Sequence, residues 1–269
     1  MLIIGENINA TGKKVAEAIK TKDISFLQEL ASAQIAADYL DINVGRGEGS
    51  AGQEIEDMKW LIGIICEVSD KPIVVDSANP EVIEAGLKQG TSLRDPFVIA
   101  SRRRSNQVAM INSVNAEKAR LEAIGPLVAK YQVDVIALAM DDNGISSRAE
   151  ERIEACDRIL EGLSHYNIPA EKVYFDPLVL PIGVDTTQGE VTLRTLVHFL
   201  AIVTRQKTVV GLSNISYGLP ERSIINEAFL LMLMSAGLDA VIVNPLRSST
   251  IGSIKVGEML LGKDAHCKE

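Results

Sequence analysis

The sequence predicts an α/β fold, a single (β/α)8 barrel that takes residues 1–269 as one domain. Three observations lead there. Eight short apolar or β-branched runs recur along the chain, starting roughly 30 to 40 residues apart, and the intervals carry helical patterns. The runs are apolar almost throughout instead of alternating, as in strands covered on both faces, here by a barrel interior and by surrounding helices. The chain has 269 residues, and barrels of this class commonly take about 250.

The elements follow in order. LIIGEN is the first strand. GENINATG, just after it, lacks the GxGxxG loop that an open doubly wound sheet wants at that place, so closure is favoured over an open sheet. ISFLQELASAQIAA reads as a helix, YLDINVG as the second strand, IEDMKWLIGIICEV as the next helix and PIVVDSA as the third strand. EVIEAGLKQ is the helix after it. The segment at 91–107, TSLRDPFVIASRRRSNQ, is longer than such connections usually are. Because it leads from a helix into a strand it is expected at the N-terminal face, with Arg102, Arg103 and Arg104 as a solvated charge run. VAMINSV, DVIALAMD, VYFDPLVL, TVVGLSN and AVIVNP complete the eight strands.

Composition excludes several classes. With 27 basic and 36 acidic residues the net charge is −9, which repels phosphate backbones and anionic lipid surfaces. No segment approaches the roughly 18 apolar residues that cross a bilayer, and MLIIGENINA has no basic leader region, so a cytoplasmic protein is expected. Cys66, Cys156 and Cys267 lie far apart without a CxxC pair and read as packing or terminal residues.

In an α/β barrel the chemistry comes from the C-terminal ends of the strands. Those ends read Glu6 with Asn9, Asp41 with Asn43, Asp76 with Ser77, Asn112 with Ser113, Asp141, Asp176, Ser213 with Asn214, and Asn244. Any one of them can be explained as a helix N-cap. Capping does not explain acids placed directly after the apolar run, as in VVDS and FDP, and convergent polar groups at one mouth mark a small-molecule site. His165, His198 and His266 fall in helical or tail segments, so no metal is expected. No lysine ends a strand for a Schiff base, and no Ser–His or Cys–His pair forms at this face. A reaction that needs binding, orientation and proton placement fits best.

IGENIN, LDINVG, VDSAN with EVIEAGLK, MINSVN, YFDPLVLP and GLSNIS followed by Arg222 and Asn226 together resemble the pterin-binding methyltransferase family. That family includes the methyltetrahydrofolate:corrinoid/iron-sulfur protein methyltransferases and the folate domain of cobalamin-dependent methionine synthase. The resemblance covers essentially the whole chain. It implies a TIM barrel that moves a methyl group between N5 of methyltetrahydrofolate and the cobalt of a corrinoid.

Carried over motif by motif, the resemblance puts Asp76, Asn112 and Asp176 on the hydrogen-bonding edges of the pterin. Gly211, Ser213 and Asn214 fall near the ring and its methyl-bearing nitrogen. A carboxylate suits a pyrimidinone N–H and its exocyclic amine, because it accepts two hydrogen bonds side by side. Methyl loss from N5 is easier when the nitrogen is protonated. Asn214 is assigned to that proton, by turning its amide oxygen toward it, and Asp76 to the network that delivers it. Arg222 is expected at the carboxylates of the folate tail or in a structural ion pair. Asp141 and Asn244 are expected as caps, with Glu6, Asn9, Asp41 and Asn43 in supporting positions.

The resemblance further implies tetrahydrofolate or methyltetrahydrofolate as substrate, a corrinoid (cobalamin) carried on a partner protein, no protein-bound metal, and a homodimer. Two rivals stand beside this reading. Dihydropteroate synthase shares the barrel and the pterin pocket, but its diphosphate leaving group wants cations, and the seventh strand ends here in GLSNIS without one. The other is a non-catalytic pterin-binding subunit. The direction of methyl transfer stays open, because one transition state serves both directions.

Overall fold

The computed structural model describes residues 1–45, 50–92, 108–202 and 206–264. Eight parallel strands close into a barrel in simple sequential order, with β8 beside β1. They are β1 Leu2–Asn9, β2 Tyr39–Asn43, β3 Ile73–Asp76, β4 Val108–Val114, β5 Asp134–Leu138, β6 Val173–Asp176, β7 Lys207–Gly211 and β8 Ala240–Val243. All eight coincide with the apolar runs of the sequence.

Among the described residues nine α-helices surround them: α1 Lys13–Thr21, α2 Ile24–Ala33, α3 Ala51–Cys66, α4 Pro80–Ser92, α5 Lys118–Tyr131, α6 Ala149–Ser164, α7 Gln188–Ile202, α8 Arg222–Ser235 and α9 Ser248–Leu260. The first unit therefore holds two helices: α2 lies where ISFLQELASAQIAA reads as a helix but ends at Ala33, short of that run, and α1 before it was not read from the sequence. Lys22 ends α1 in the left-handed conformation (φ 56°), and the side chain of Asp23, accepting from Phe26 N at 3.1 Å, starts α2. A stop and an N-cap on adjacent residues separate the two helices. No described helix is long and apolar enough to cross a membrane.

Two apolar layers hold the barrel. The larger lies between strands and helices. The smaller, Ile4, Val74, Met110, Ile136, Tyr174, Val209 and Ala240, fills the barrel interior, with Leu2, Tyr39, Leu138 and Ile242 packed against it. Side chains on a strand alternate faces, so the residue two positions further on points inward as well. From Ile4, Val74, Met110, Tyr174 and Val209 that step reaches Glu6, Asp76, Asn112, Asp176 and Gly211. An apolar plug thus passes into a polar layer within one strand period, at the C-terminal end.

Parts of the expected picture lie outside the described residues. These are the 93–107 portion of the long connection, with Arg102, Arg103 and Arg104, and also His266 and Cys267. Among the described residues, Cys156 is fully buried in α6 and Cys66 ends α3. His198 lies in α7, and His165 caps the C-terminus of α6.

Candidate functional site

Strand register builds one side of the mouth. Asn9 pairs with Asn43, Asn43 with Asp76, and Asp76 with Asn112, so four polar residues form a row across β1 to β4. Side-chain hydrogen bonds tie three of them into the layer. Asn43 Nδ2 donates to Asp76 Oδ2 at 2.8 Å, and Asn112 Nδ2 donates to Asp41 Oδ1 at 3.3 Å. The second bond spans from β4 to β2, across β3, because both residues point into the barrel.

The other side comes from β6 and β7. Asp176 is nearly enclosed, at 7% exposure, and its Oδ1 accepts from the main-chain N–H of Leu178 at 2.7 Å. Leu178 has φ 63°, a conformation that non-glycine residues rarely adopt. Beyond β7, a short 3-10 turn at Leu212–Asn214 carries Ser213, whose hydroxyl donates to Glu6 Oε1 at 2.8 Å. The Asn214 side chain is exposed, with Nδ2 only 3.5 Å from where a Cβ on residue 211 would sit. A Cβ there would make an ordinary van der Waals contact with that amide.

Burial shapes the electrostatics of this layer. Desolvation raises the carboxyl of Asp176 to about 7, although the Leu178 N–H, Arg152 and the Gly211 N–H favour its charged form. Asp41 stands well above the usual carboxylate range, first through burial and then through the neighbouring Asp76 charge. Asp76 is raised by burial too, moderated by its bond from Asn43 and by Arg120. In Glu6 burial outweighs the bond from Ser213 and the more distant charges of Arg222 and Arg247. Four acids thus face one mouth with their ionised forms disfavoured, a setting that favours a ligand able to donate hydrogen bonds to them.

The arginines beside these acids direct their donors elsewhere. Arg120, on α5, binds the carbonyls of Ser77 at 2.9 Å, Ala78 at 2.6 Å and Ser113 at 2.6 Å. Arg152, on α6, binds the carbonyls of Ser146, Pro177 and Leu178 and the side-chain oxygen of Gln188. Arg222 donates to Ser213 O at 2.7 Å and to Ser216 Oγ at 3.1 Å, which ties down the turn after β7. Each supplies positive potential to the acidic layer while fixing the backbone that carries it.

The structure therefore brings together Asp76, Asn112, Asp176, Gly211, Ser213 and Asn214 from the sequence reading, with Asp41, Asn43 and Glu6 bonded to them. Asp141 lies apart, its Oδ1 accepting from Asn143 N and its Oδ2 meeting Arg158 Nη2 at 2.5 Å. Asn9 and Asn244 accept from the N–H two residues on, closing turns. Sequence reasoning missed Arg120 and Arg152. A signal existed: both occupy the apolar stripe of their helices, Arg120 with Ile124 and Val128, and Arg152 with Ala149, Cys156, Ile159 and Leu163.

Residues 5–94 and 97–244 match the pterin binding enzyme family. The chain belongs to that family. As a pterin binding enzyme it is 26% identical to the methylcorrinoid:tetrahydrofolate methyltransferase of Eubacterium limosum, over 100% of this chain and 94% of the relative. It is 30% identical to the methionine synthase of Mycobacterium leprae and 29% to that of Mycobacterium tuberculosis, over 94% and 91% of this chain. It spans only 21% and 20% of those two proteins. Among solved structures, dihydropteroate synthases share the fold: that of Stenotrophomonas maltophilia with TM-score 0.71 at 18% identity, covering 98% of this chain and 94% of that one, and that of Yersinia pestis with TM-score 0.68 at 17% identity, with the same coverage.

Proposed function

We propose that this pterin binding enzyme moves a methyl group between N5 of methyltetrahydrofolate and the cobalt of a corrinoid carried by a partner protein. One observation carries the reading. Over a mouth of buried carboxylates, the end of β7 presents an uncharged Ser213–Asn214 pair, not a cation. Full-length similarity to a methylcorrinoid:tetrahydrofolate methyltransferase supports the same chemistry.

In this reading Asp176, with Oδ1 held by Leu178 N–H, and Asp76, with Oδ2 held by Asn43, accept from the N–H groups of the pterin ring. Asn112, tied to Asp41, orients the ring from the neighbouring strand. The corrinoid supplies, or receives, the electron pair that bonds the methyl carbon. The chain itself must favour a protonated N5, so that the C–N5 electron pair stays on a neutral amine. The exposed amide of Asn214 turns its oxygen toward that N–H, and Asp76 belongs to the network through which the proton arrives from solvent.

Diphosphate displacement is less well supported. Arg120, Arg152 and Arg222 use donors on main-chain carbonyls within the fold, and β7 ends without a lysine. The deciding experiment mixes the protein with methyltetrahydrofolate and cob(I)alamin and follows the cobalt absorption spectrum. Formation of methylcobalamin is expected. Its absence, or release of diphosphate from a pterin diphosphate with aminobenzoate, refutes the proposal.

A further inference from the structure

We propose that Arg152 is a positioning residue, which holds the Asp176 carboxylate in its ligand-accepting geometry by acting through the main chain of Pro177 and Leu178. What Asp176 accepts rests on the pterin reading above, whereas how it is held does not.

Arg152 is fully buried. Among the described residues it forms no ion pair with a carboxylate; Nε donates to Ser146 O at 2.8 Å, Nη1 to Pro177 O at 2.9 Å and to Leu178 O at 2.8 Å, and Nη2 to Gln188 Oε1 at 2.7 Å. These acceptors belong to three separate segments: the loop before α6, the chain leaving β6, and the first residue of α7. A planar guanidinium with five donors can join all three at once, while an ammonium group with three donors cannot reproduce the fork.

The consequence falls on Leu178. Its positive φ of 63° is strained by ~1–2 kcal/mol, and persists only where the surroundings over-determine it. Two donors do so at its carbonyl, Arg152 Nη1 and Thr192 Oγ1, the latter at 2.9 Å. The Leu178 N–H lies in the same planar peptide as the Pro177 carbonyl, which Arg152 Nη1 also holds, and it turns back to Asp176 Oδ1 at 2.7 Å. One carboxylate oxygen is thereby anchored by its own chain, and the guanidinium charge is supplied nearby without occupying the acid.

The test is Arg152→Lys, with two readouts: hydrogen exchange of the Leu178 amide in the protein alone, and the dissociation constant for methyltetrahydrofolate by titration calorimetry. Leu178 exchange is expected to quicken and binding to weaken, each by about tenfold, the equivalent of one charged hydrogen bond. Glycine adopts positive φ without strain. Leu178→Gly in the Arg152→Lys background should therefore restore most of the lost affinity, which a general loss of structure would not allow.

Unchanged exchange at Leu178 in Arg152→Lys overturns the proposal, as does lost affinity that Leu178→Gly fails to recover. If Arg152→Lys does not fold, Gln188→Leu, which removes one anchor of the guanidinium, takes its place. Quicker Leu178 exchange then supports the role, and unchanged exchange overturns it. Wild-type protein that binds no methyltetrahydrofolate refutes the proposed function instead, and Leu178 exchange still decides the role of Arg152.

Discussion

Asp176→Asn should make the protein more stable, by an amount that depends on pH. Burial raises the Asp176 carboxyl from 3.8 to about 7 in the folded protein, which corresponds to ~4 kcal/mol of preference for the neutral acid. Between those two values the folded chain holds a proton that the unfolded chain has released, so stability falls as pH rises through that window and the penalty is complete above it. Asparagine has nearly the same shape, keeps an oxygen for the Leu178 N–H and carries no charge. Relative to wild type, Asp176→Asn should gain little at pH 4 and about 2–4 kcal/mol at pH 8, a large fraction of the ~5–15 kcal/mol that holds a typical domain together. Because Glu6, Asp41 and Asp76 titrate in both proteins, the difference between them isolates Asp176. Urea denaturation at half-unit steps from pH 4 to pH 8.5 measures it. A stability difference that is the same at every pH would refute the reasoning, because it would show that Asp176 ionises in the folded protein as it does in water.

The same substitution should weaken methyltetrahydrofolate binding by about 1.5–3 kcal/mol, read by calorimetry at pH 8, where Asp176 is ionised and a charged acceptor is lost from a buried site. Stability and binding then move in opposite directions. Asn214→Ala should lower the methyl-transfer rate by roughly a hundredfold while leaving the melting temperature within about 1 °C, because the side chain is exposed and acts on developing charge; an unchanged rate contradicts its assignment. Gly90→Ala should destabilise the fold by about 1–3 kcal/mol in urea titrations, since its Cβ would lie 2.6 Å from Val108 Cγ2 and 3.1 Å from Val108 N, where α4 meets β4. Arg120→Met should cost about 2–4 kcal/mol by the same measurement, because it strips donors from three carbonyls at the ends of β3 and β4.

The eight strands were legible because a strand buried on both faces must be apolar along its length, and few other elements are so short and so apolar. The polar residues of the mouth were legible for a related reason, since an acid directly after such a run, as in Asp76 and Asp176, has no packing purpose. Helix α1 was not: the apolar periodicity was read only from Ile24, where α2 begins, and the short α1 ends at Lys22 in a left-handed conformation that helical periodicity does not encode. Asn9 looks like Asn112 in sequence but closes a turn on its own backbone, as does Asn244, which was expected as a cap. Only the direction of each side chain separates them.

The sequence alone therefore determined which residue types reach the barrel mouth, since strand period and apolar content are local properties written in consecutive positions. Tertiary structure decided how they are used. Asn112 finds Asp41 and Ser213 finds Glu6 across intervals of 71 and 207 residues. The raised carboxyl of Asp176 and the clamp of Arg152 exist only where distant segments exclude water together. Burial and long-range hydrogen bonding depend on the closed barrel, and no stretch of neighbouring residues contains them.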